Sequence, residues 1–234
     1  MERQIIQQHI ENYRAEVERA IYEPIVQRDV GLVSVDATKA FFLLLPMLNG
    51  ERWTEHVNTA AIAVGAVHAG FDAHDAIDLF DATSTQQQLT VLSGDHFSGI
   101  HYRLLASLPE FGFIRSLSQS IGRVNEMKTT VHKQLPGEQS KLIEAIHTIE
   151  VGCIENFLHT FGFSRYVQLA KSALPLLWLE AQSTGSKVSA YERERAVTLL
   201  ATQLQEAIDA AHFLHPILRQ EIGKMTTPLL SKLM

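Results

Sequence analysis

His68-Ala-Gly-Phe-Asp72-Ala-His74-Asp75-Ala76-Ile-Asp78-Leu79, with Val91-Leu-Ser-Gly94-Asp95 a little further on, is the stretch on which the reading of this chain turns. Asp72, Asp75, Asp78 and Asp81 recur every three residues, a pattern that invites a metal site. A helix turns about 100° per residue, so steps of three drift by about 60° each time. Neighbouring pairs can face one another, but no two of these aspartates are four apart. The plainer reading is a solvated acidic face opposite Ala73, Ile77 and Phe80. The surrounding charge points the same way: between Arg52 and Arg103 there is no lysine or arginine. An anion site needs Arg, Lys or a metal ion to neutralise the ligand's oxygens as they leave water.

The same stretch resembles trans-polyprenyl diphosphate synthases, where a histidine precedes His-Asp-Asp-x-x-Asp by six residues and a Leu-x-Gly-Asp helix follows. In that family three aspartates at i, i+1 and i+4 hold magnesium against an allylic diphosphate. Here Asp75 stands at the first place, while Ala76 and Leu79 occupy the others. The family's arginines after that motif are missing from Asp81-Ala-Thr-Ser-Thr-Gln-Gln-Gln-Leu-Thr. Its second aspartate helix is similar to Leu199-Leu-Ala-Thr-Gln203-Leu-Gln-Glu206-Ala207-Ile-Asp209-Ala210, which keeps Glu206 and replaces the other carboxylates by Ala207 and Ala210. The family's Lys-Thr pair aligns with Ile149-Glu150.

A narrower likeness lies in Gln88-Leu-Thr-Val-Leu-Ser-Gly-Asp95-His-Phe-Ser-Gly99-Ile-His-Tyr102-Arg-Leu-Leu-Ala, with Ile114-Arg-Ser-Leu-Ser-Gln-Ser-Ile121 and Val124-Asn-Glu126-Met-Lys128. These tracts resemble component I, the small subunit of bacterial heptaprenyl diphosphate synthase. That resemblance implies an isoprenoid-synthase fold without working aspartate motifs, and no cofactor held by this chain. It also implies an obligate catalytic partner, component II, which supplies the Mg²⁺ sites and whose product becomes the menaquinone side chain. His74, Asp75, Asp78, Asp95 and Glu206 would then be a vestigial motif. By analogy with homodimeric relatives, the subunit interface would use 111–133 and 138–161, with Phe111, Phe113, Ile114, Leu117, Ile121 and Val124 as candidate contacts. The same residues would serve equally as internal core.

The bulk properties agree with one globular domain over 1–234: 46% hydrophobic and 20% charged residues suit a packed core. A formal net charge of -6 argues against nucleic acid, which calls for a basic surface. A single cysteine, Cys153, excludes an intrachain disulfide, fits a reducing cytoplasm, and sits among Ile149, Val151, Ile154 and Phe157 as a buried thiol would. Met-Glu-Arg-Gln-Ile-Ile-Gln-Gln-His lacks the apolar core of a signal peptide. The longest apolar run, Ala40 to Leu48, falls far short of the roughly 20 residues that span a bilayer. A soluble, cytoplasmic protein is expected.

The apolar spacing is helical almost throughout. It predicts helices near 2–27, 36–48, 52–70, 72–82, 85–107, 111–133, 138–161, 163–183 and 189–213, and a short one after Pro216. Asn49-Gly50, Pro109, Pro136-Gly137, Gly162, Gly185 and His215-Pro216 mark the breaks. Ser189-Ala-Tyr-Glu192 has capping-box spacing and Ser84-Thr-Gln-Gln87 a weaker version. Pro46 and Pro175 fall inside helical patterns and should kink or end them. Ser93, Gly94, Ser98 and Gly99 are small enough to admit a neighbouring helix closely. The expectation is an all-α orthogonal bundle of the isoprenoid-synthase type with nine or ten helices.

His96 and His101 are five apart, and His212 and His215 three apart; neither is the i, i+4 pair of a helical zinc site. Asp95, in an otherwise apolar helix, should brace a neighbour if buried. The function expected is a regulatory subunit whose isolated form exposes an apolar patch and self-associates. Two other classes stay open: an active terpenoid enzyme gathering magnesium through Asp72, Asp75 and Asp78, and a helical adaptor unrelated to isoprenoids.

Overall fold

The computed structural model describes residues 2–31, 34–77, 84–133, 139–181 and 190–230. Among them are ten α-helices and no strand: α1 (Arg3–Ala20), α2 (Pro24–Asp29), α3 (Ala37–Leu48), α4 (Glu55–Asp75), α5 (Thr85–Ala106), α6 (Phe111–Lys133), α7 (Gln139–Thr160), α8 (Val167–Ala181), α9 (Ala190–Ala210) and α10 (Pro216–Leu230). The all-α expectation holds. By its internal contacts the chain forms two compact units. The first is Arg3–Leu44 with Arg52–Ile114, and the second is Met1–Glu2, Leu45–Glu51 and Arg115–Met234.

In the first unit α4 is the hub, packed against α1 and α5. Its middle is alanine and glycine, and Ala60, Ala61, Ala63, Val64 and Ala66 are fully buried. Small side chains let backbones come close. A β-carbon on Gly65 would sit 2.6 Å from both the Tyr13 hydroxyl and Val17 Cγ2, which marks where α1 presses in. The Tyr13 hydroxyl uses that proximity to donate to the Ala61 carbonyl at 2.9 Å. Burial, with a further push from Glu16, holds the phenol's pKa far above its usual value. On the other side, a β-carbon on Gly70 would meet the Gly94 carbonyl of α5 at 3.4 Å.

These contacts explain two departures from the spacing. The helices expected at 52–70 and 72–82 are one helix as far as Asp75, because Gly70 serves helix contact and not a break. The helix expected at 2–27 is divided. Pro24 opens α2, and the residue before a proline avoids helical angles; Glu23 is extended (φ -140, ψ 123). Its carboxylate accepts from the Ile25 and Val26 amides at 2.7 and 2.9 Å, replacing bonds that the chain break costs.

In the second unit α8 packs on α7, α9 and α10. Its core is aliphatic and aromatic, with Phe157, Leu158, Leu176, Leu179, Leu200, Leu204 and Leu218 fully buried. Gly50 and Gly162 end α3 and α7 in the same way, each in the left-handed region (φ 85 and 81). The Gly162 amide bonds the His159 carbonyl and the Phe163 amide the Leu158 carbonyl, a Schellman closure repeated at Gly50 and Glu51 on Met47 and Pro46. The segment expected to be helical from 163 starts as a 3₁₀ turn, Ser164–Tyr166, before α8. Pro46 and Pro175 lie within α3 and α8 without ending them. Burial around both helices (Phe41, Phe42 and Leu45 at 0%, Leu176 at 0%) outweighs the lost backbone bond. The Ser84 cap forms, accepting from the Gln87 amide at 3.2 Å. Ser189, Pro136, Gly137 and Gly185 lie outside the described residues.

Candidate functional site: an eroded motif on α4 and the exposed face of α5

Asp75 is the last residue of α4 and is exposed; Ala76 caps the helix, its amide bonding the Asp72 carbonyl at 3.1 Å. Asp78, Leu79 and Asp81 lie outside the described residues. A divalent magnesium ion takes oxygen ligands in a near-octahedral shell, and the methyl of Ala76 offers none beside Asp75. Among the described residues no three histidine, cysteine, aspartate or glutamate side chains converge to hold an ion. The described residues of the motif, Asp72, Asp75 and Ala76, do not assemble a group of ligands for a magnesium ion.

Asp95 is not buried. It is 69% exposed and lies 3.8 Å from Nε2 of His74, itself 40% exposed, so the link between α4 and α5 is a loose surface contact. The bracing is done instead by the glycine: a β-carbon on Gly94 would meet the His74 ring at 2.6 Å. His68 faces inward on α4. It lines a pocket with Tyr13, Asp36, Lys39, Gly65 and Asp72 whose free volume is about 10 Å³. One water needs about that much room by itself. Lys39 is a cation that sequence spacing did not associate with the motif, since it comes from α3; yet Asp36 and Asp72 line the same pocket.

In the second unit Glu206 is exposed on α9, and Asp209 accepts from Gln205 Nε2 at 3.0 Å, an ordinary surface pair. Glu150, at the place of the family's Lys-Thr pair, is buried. A cleft of about 810 Å³ runs along α7, with Ser116, Ser120 and Arg123 of α6 on one side and Lys171 of α8 on the other. Glu155 lies 3.0 Å from the Lys171 ammonium and 3.6 Å from His159 Nε2. Burial and the Lys171 charge lower the pKa of His147 there. Cys153 is buried, as expected.

The candidate contact stripe on α6 divides. Phe113, Leu117 and Val124 are fully buried within the chain, whereas Phe111 is 79% exposed. Ile114 and Ile121 are half-buried. A clearer outward face belongs to α5, where Val91, Leu92 and Tyr102 are exposed large apolar residues. Gly99, between them in the sequence, has nothing within 4 Å of where a β-carbon would be. Unlike Gly65, Gly70 and Gly94, it has no packing reason inside the chain for the roughly 1 kcal/mol that a helical glycine costs. Sequence reasoning passed over this face, although its signal is a simple one: the exposed positions 88, 91, 92, 95, 99 and 102 carry the spacing of one side of a helix.

A family model for heptaprenyl diphosphate synthase (HEPPP synthase) subunit 1 matches residues 25–223. The chain belongs to that family. Heptaprenyl diphosphate synthase component 1 of Geobacillus stearothermophilus is 30% identical over 132 residues, a match spanning 54% of this chain and 60% of that protein. The chain therefore aligns with less than two thirds of that relative's length. Two solved structures share the fold at low identity. A heptaprenyl diphosphate synthase from Staphylococcus aureus superposes with a TM-score of 0.62 at 10% identity, covering 98% of this chain and 92% of that one. A geranylgeranyl pyrophosphate synthase from Lactobacillus brevis gives 0.64 at 12%, covering 97% and 96%. This chain thus has the all-α isoprenoid-synthase fold over nearly its whole length. No described helix is long and apolar enough to cross a membrane.

Proposed function

We propose that this chain is the noncatalytic, regulatory subunit of a heteromeric heptaprenyl diphosphate synthase. A catalytic component II partner supplies the Mg²⁺ sites and elongates farnesyl diphosphate with isopentenyl diphosphate. The product serves as the menaquinone side chain, and the complex works in the cytoplasm. The observation that carries this reading is the closed pocket beside the motif helix. About 10 Å³ bordered by Lys39, Asp36 and Asp72 leaves neither room nor net positive charge for a diphosphate. Ala76 next to Asp75 removes the ligand pair that would bring the missing charge as metal.

Family membership and a scaffold retained without that chemistry support a role exerted through contact. Chain growth stops when the apolar tail meets a barrier, and a subunit packed on the partner's tunnel helices shifts that barrier without entering the reaction. The outward residues of α5 (Leu92, Gly99, Tyr102), with Phe111, are the surface we assign to the partner. An obligate interface commonly buries more than about 2,000 Å² and is apolar at its centre.

Reconstitution tests the reading. Purified chain, catalytic component and their mixture are incubated with Mg²⁺, farnesyl diphosphate and isopentenyl diphosphate, and product length is read. The expected result is no turnover by this chain alone and prenyl product of defined length only in the mixture. Sustained turnover by this chain alone, or no effect on the partner's rate and product length, would overturn it.

A further inference from the structure

The cleft of the second unit, along α7 between α6 and α8, has the volume of a small-molecule site, about 810 Å³, and the eroded motif does not account for it. Its lining is hydroxyls, amides and charges; among the described residues Ile143, 8% exposed, is the one large aliphatic side chain in it. Such walls reward hydrogen bonds and give an apolar ligand little to bury against.

Gly152 of α7 belongs to this lining. A β-carbon there would meet only Val124 Cγ2 of α6, at an ordinary 3.8 Å. Packing inside the chain therefore does not call for a glycine in mid-helix, where it costs helix propensity. The same contact sets Val124 opposite Gly152. Arg123, next to Val124, and Asn156, one turn along α7, thus border the same stretch of the cleft.

Both groups are held in place with donors to spare. Arg123 Nη2 donates to the hydroxyl of Ser120, itself 2% exposed, at 3.1 Å, and the guanidinium has no carboxylate partner among the described residues. A guanidinium carries five N–H groups in a planar fork that matches a carboxylate. Ser116 donates to Asn156 Oδ1 at 3.1 Å, and the Asn156 amide nitrogen has no acceptor among the described residues.

The charges narrow the ligand. Lys171 and Glu155 neutralise each other at 3.0 Å, with His159 Nε2 3.6 Å from the same carboxylate. Burial and the Lys171 charge favour the neutral ring of His147. Arg123 is then the uncompensated cation of this stretch. Glu144 stands about two turns before Gly152, roughly 12 Å away, where it repels a long or multiply charged anion.

We infer that this cleft binds a small hydroxylated monocarboxylate, with its two oxygens on Arg123 and Asn156 and its hydroxyl-bearing body over Gly152 and Thr148. The inference stands on the lining of the cleft and does not depend on the function proposed above.

The test titrates the full chain with gluconate, following the Gly152 amide and the Asn156 side-chain amide by NMR. Hexanoate, of the same length without hydroxyls, and inorganic phosphate are run beside it. Saturable gluconate shifts with a Kd of about 1 mM are expected, weakened by salt, with hexanoate and phosphate at least fivefold weaker. Arg123→Gln, an exposed change, should weaken gluconate about tenfold at unchanged melting temperature. Gly152→Ala should weaken it by a similar factor while raising the melting temperature, a combination that damage to the fold does not produce.

No saturable shift at Gly152 and Asn156, or gluconate binding untouched by Arg123→Gln, would overturn the inference. Hexanoate binding as well as gluconate would remove the role of the hydroxyl lining, and tighter binding of phosphate would remove the choice of a monocarboxylate; either result also overturns it.

Discussion

The α4–α5 pair of the first unit and the 3₁₀ corner of the second fix their neighbours by opposite means. Along α4 and α5 the glycines make the room: Gly70 faces the Gly94 carbonyl of α5, Gly94 faces the His74 ring of α4, and Gly65 receives the Tyr13 and Val17 side chains of α1. At the corner the holding groups are long and polar. Arg165 pairs with Glu51, and the Tyr166 hydroxyl donates to Glu51 at 2.7 Å while accepting from Asn49 at 2.8 Å. Asn49 also bonds the Phe213 carbonyl and the His215 amide, and the Arg165 guanidinium lies 4.4 Å from the Phe213 ring centre. The difference shows two ways of holding a scaffold together. Close approach at glycine needs no functional side chain, so α4 keeps its place with Ala76 beside Asp75.

The largest expected effect breaks that first device. Gly65→Ala forces a β-carbon against Tyr13 and Val17, both buried, and should cost about 2 kcal/mol after the gain in helix propensity. That is a fall of about 4–8 °C in melting temperature. Gly94→Ala meets only the outer end of the His74 ring, which can swing into solvent, so its cost should stay within about 0.5 kcal/mol. Equal losses at the two sites would show that helix approach is not what holds α4.

Acid should probe the buried histidine of α5 next. His101 of α5 is 3% exposed, and burial pushes its pKa from 6.5 down to about 4. A group whose folded pKa is depressed in this way binds fewer protons than in the unfolded chain between those values. Stability contributed by the neutral ring is therefore present above pH 6.5 and is lost as pH falls toward 4, on the order of 2 kcal/mol. Urea midpoints against pH should slope over that window, and His101→Phe should flatten the slope. A slope unaltered by the substitution would place the titrating group elsewhere.

Tyr166→Phe tests the polar corner. It removes a hydroxyl that serves both Glu51 and Asn49 and leaves them partly unsatisfied, for a loss of about 1 kcal/mol. A neutral result would make the network ornamental and the aromatic contact of Tyr166 with Phe213 sufficient.

The smallest change in the isolated chain should come from Gly99→Ala, which gains about 0.5–1 kcal/mol because nothing occupies the space. The same substitution should weaken copurification with the catalytic component, since it fills the surface assigned to the partner. Leu92→Asp should share that second effect with almost no change in melting. If both variants pair normally, the α5 face is not the contact surface.

Much of the fold was legible because helical period and turn chemistry are local. Breaks at Asn49-Gly50, Gly162 and Pro216 fall where the spacing put them, and Ser84 caps α5. The misreadings were equally local. The spacing divided one helix between 70 and 72, and what Gly70 offers a neighbouring helix is invisible in its own segment. The stripe on α6 was undecidable for the same reason: Leu117 and Val124 are buried by the chain itself while Phe111 is not, and an apolar period does not say what covers it.

What the sequence determined unaided is which positions of the motif carry no ligand. Alanine at 76 and leucine at 79 cannot ligate a metal whatever surrounds them, because that capacity belongs to the side chain alone. Which groups meet was left to the tertiary structure. It set Lys39 and Asp72 around one small pocket and tied Glu51 to Arg165, because distances between segments are set by packing that no single segment encodes.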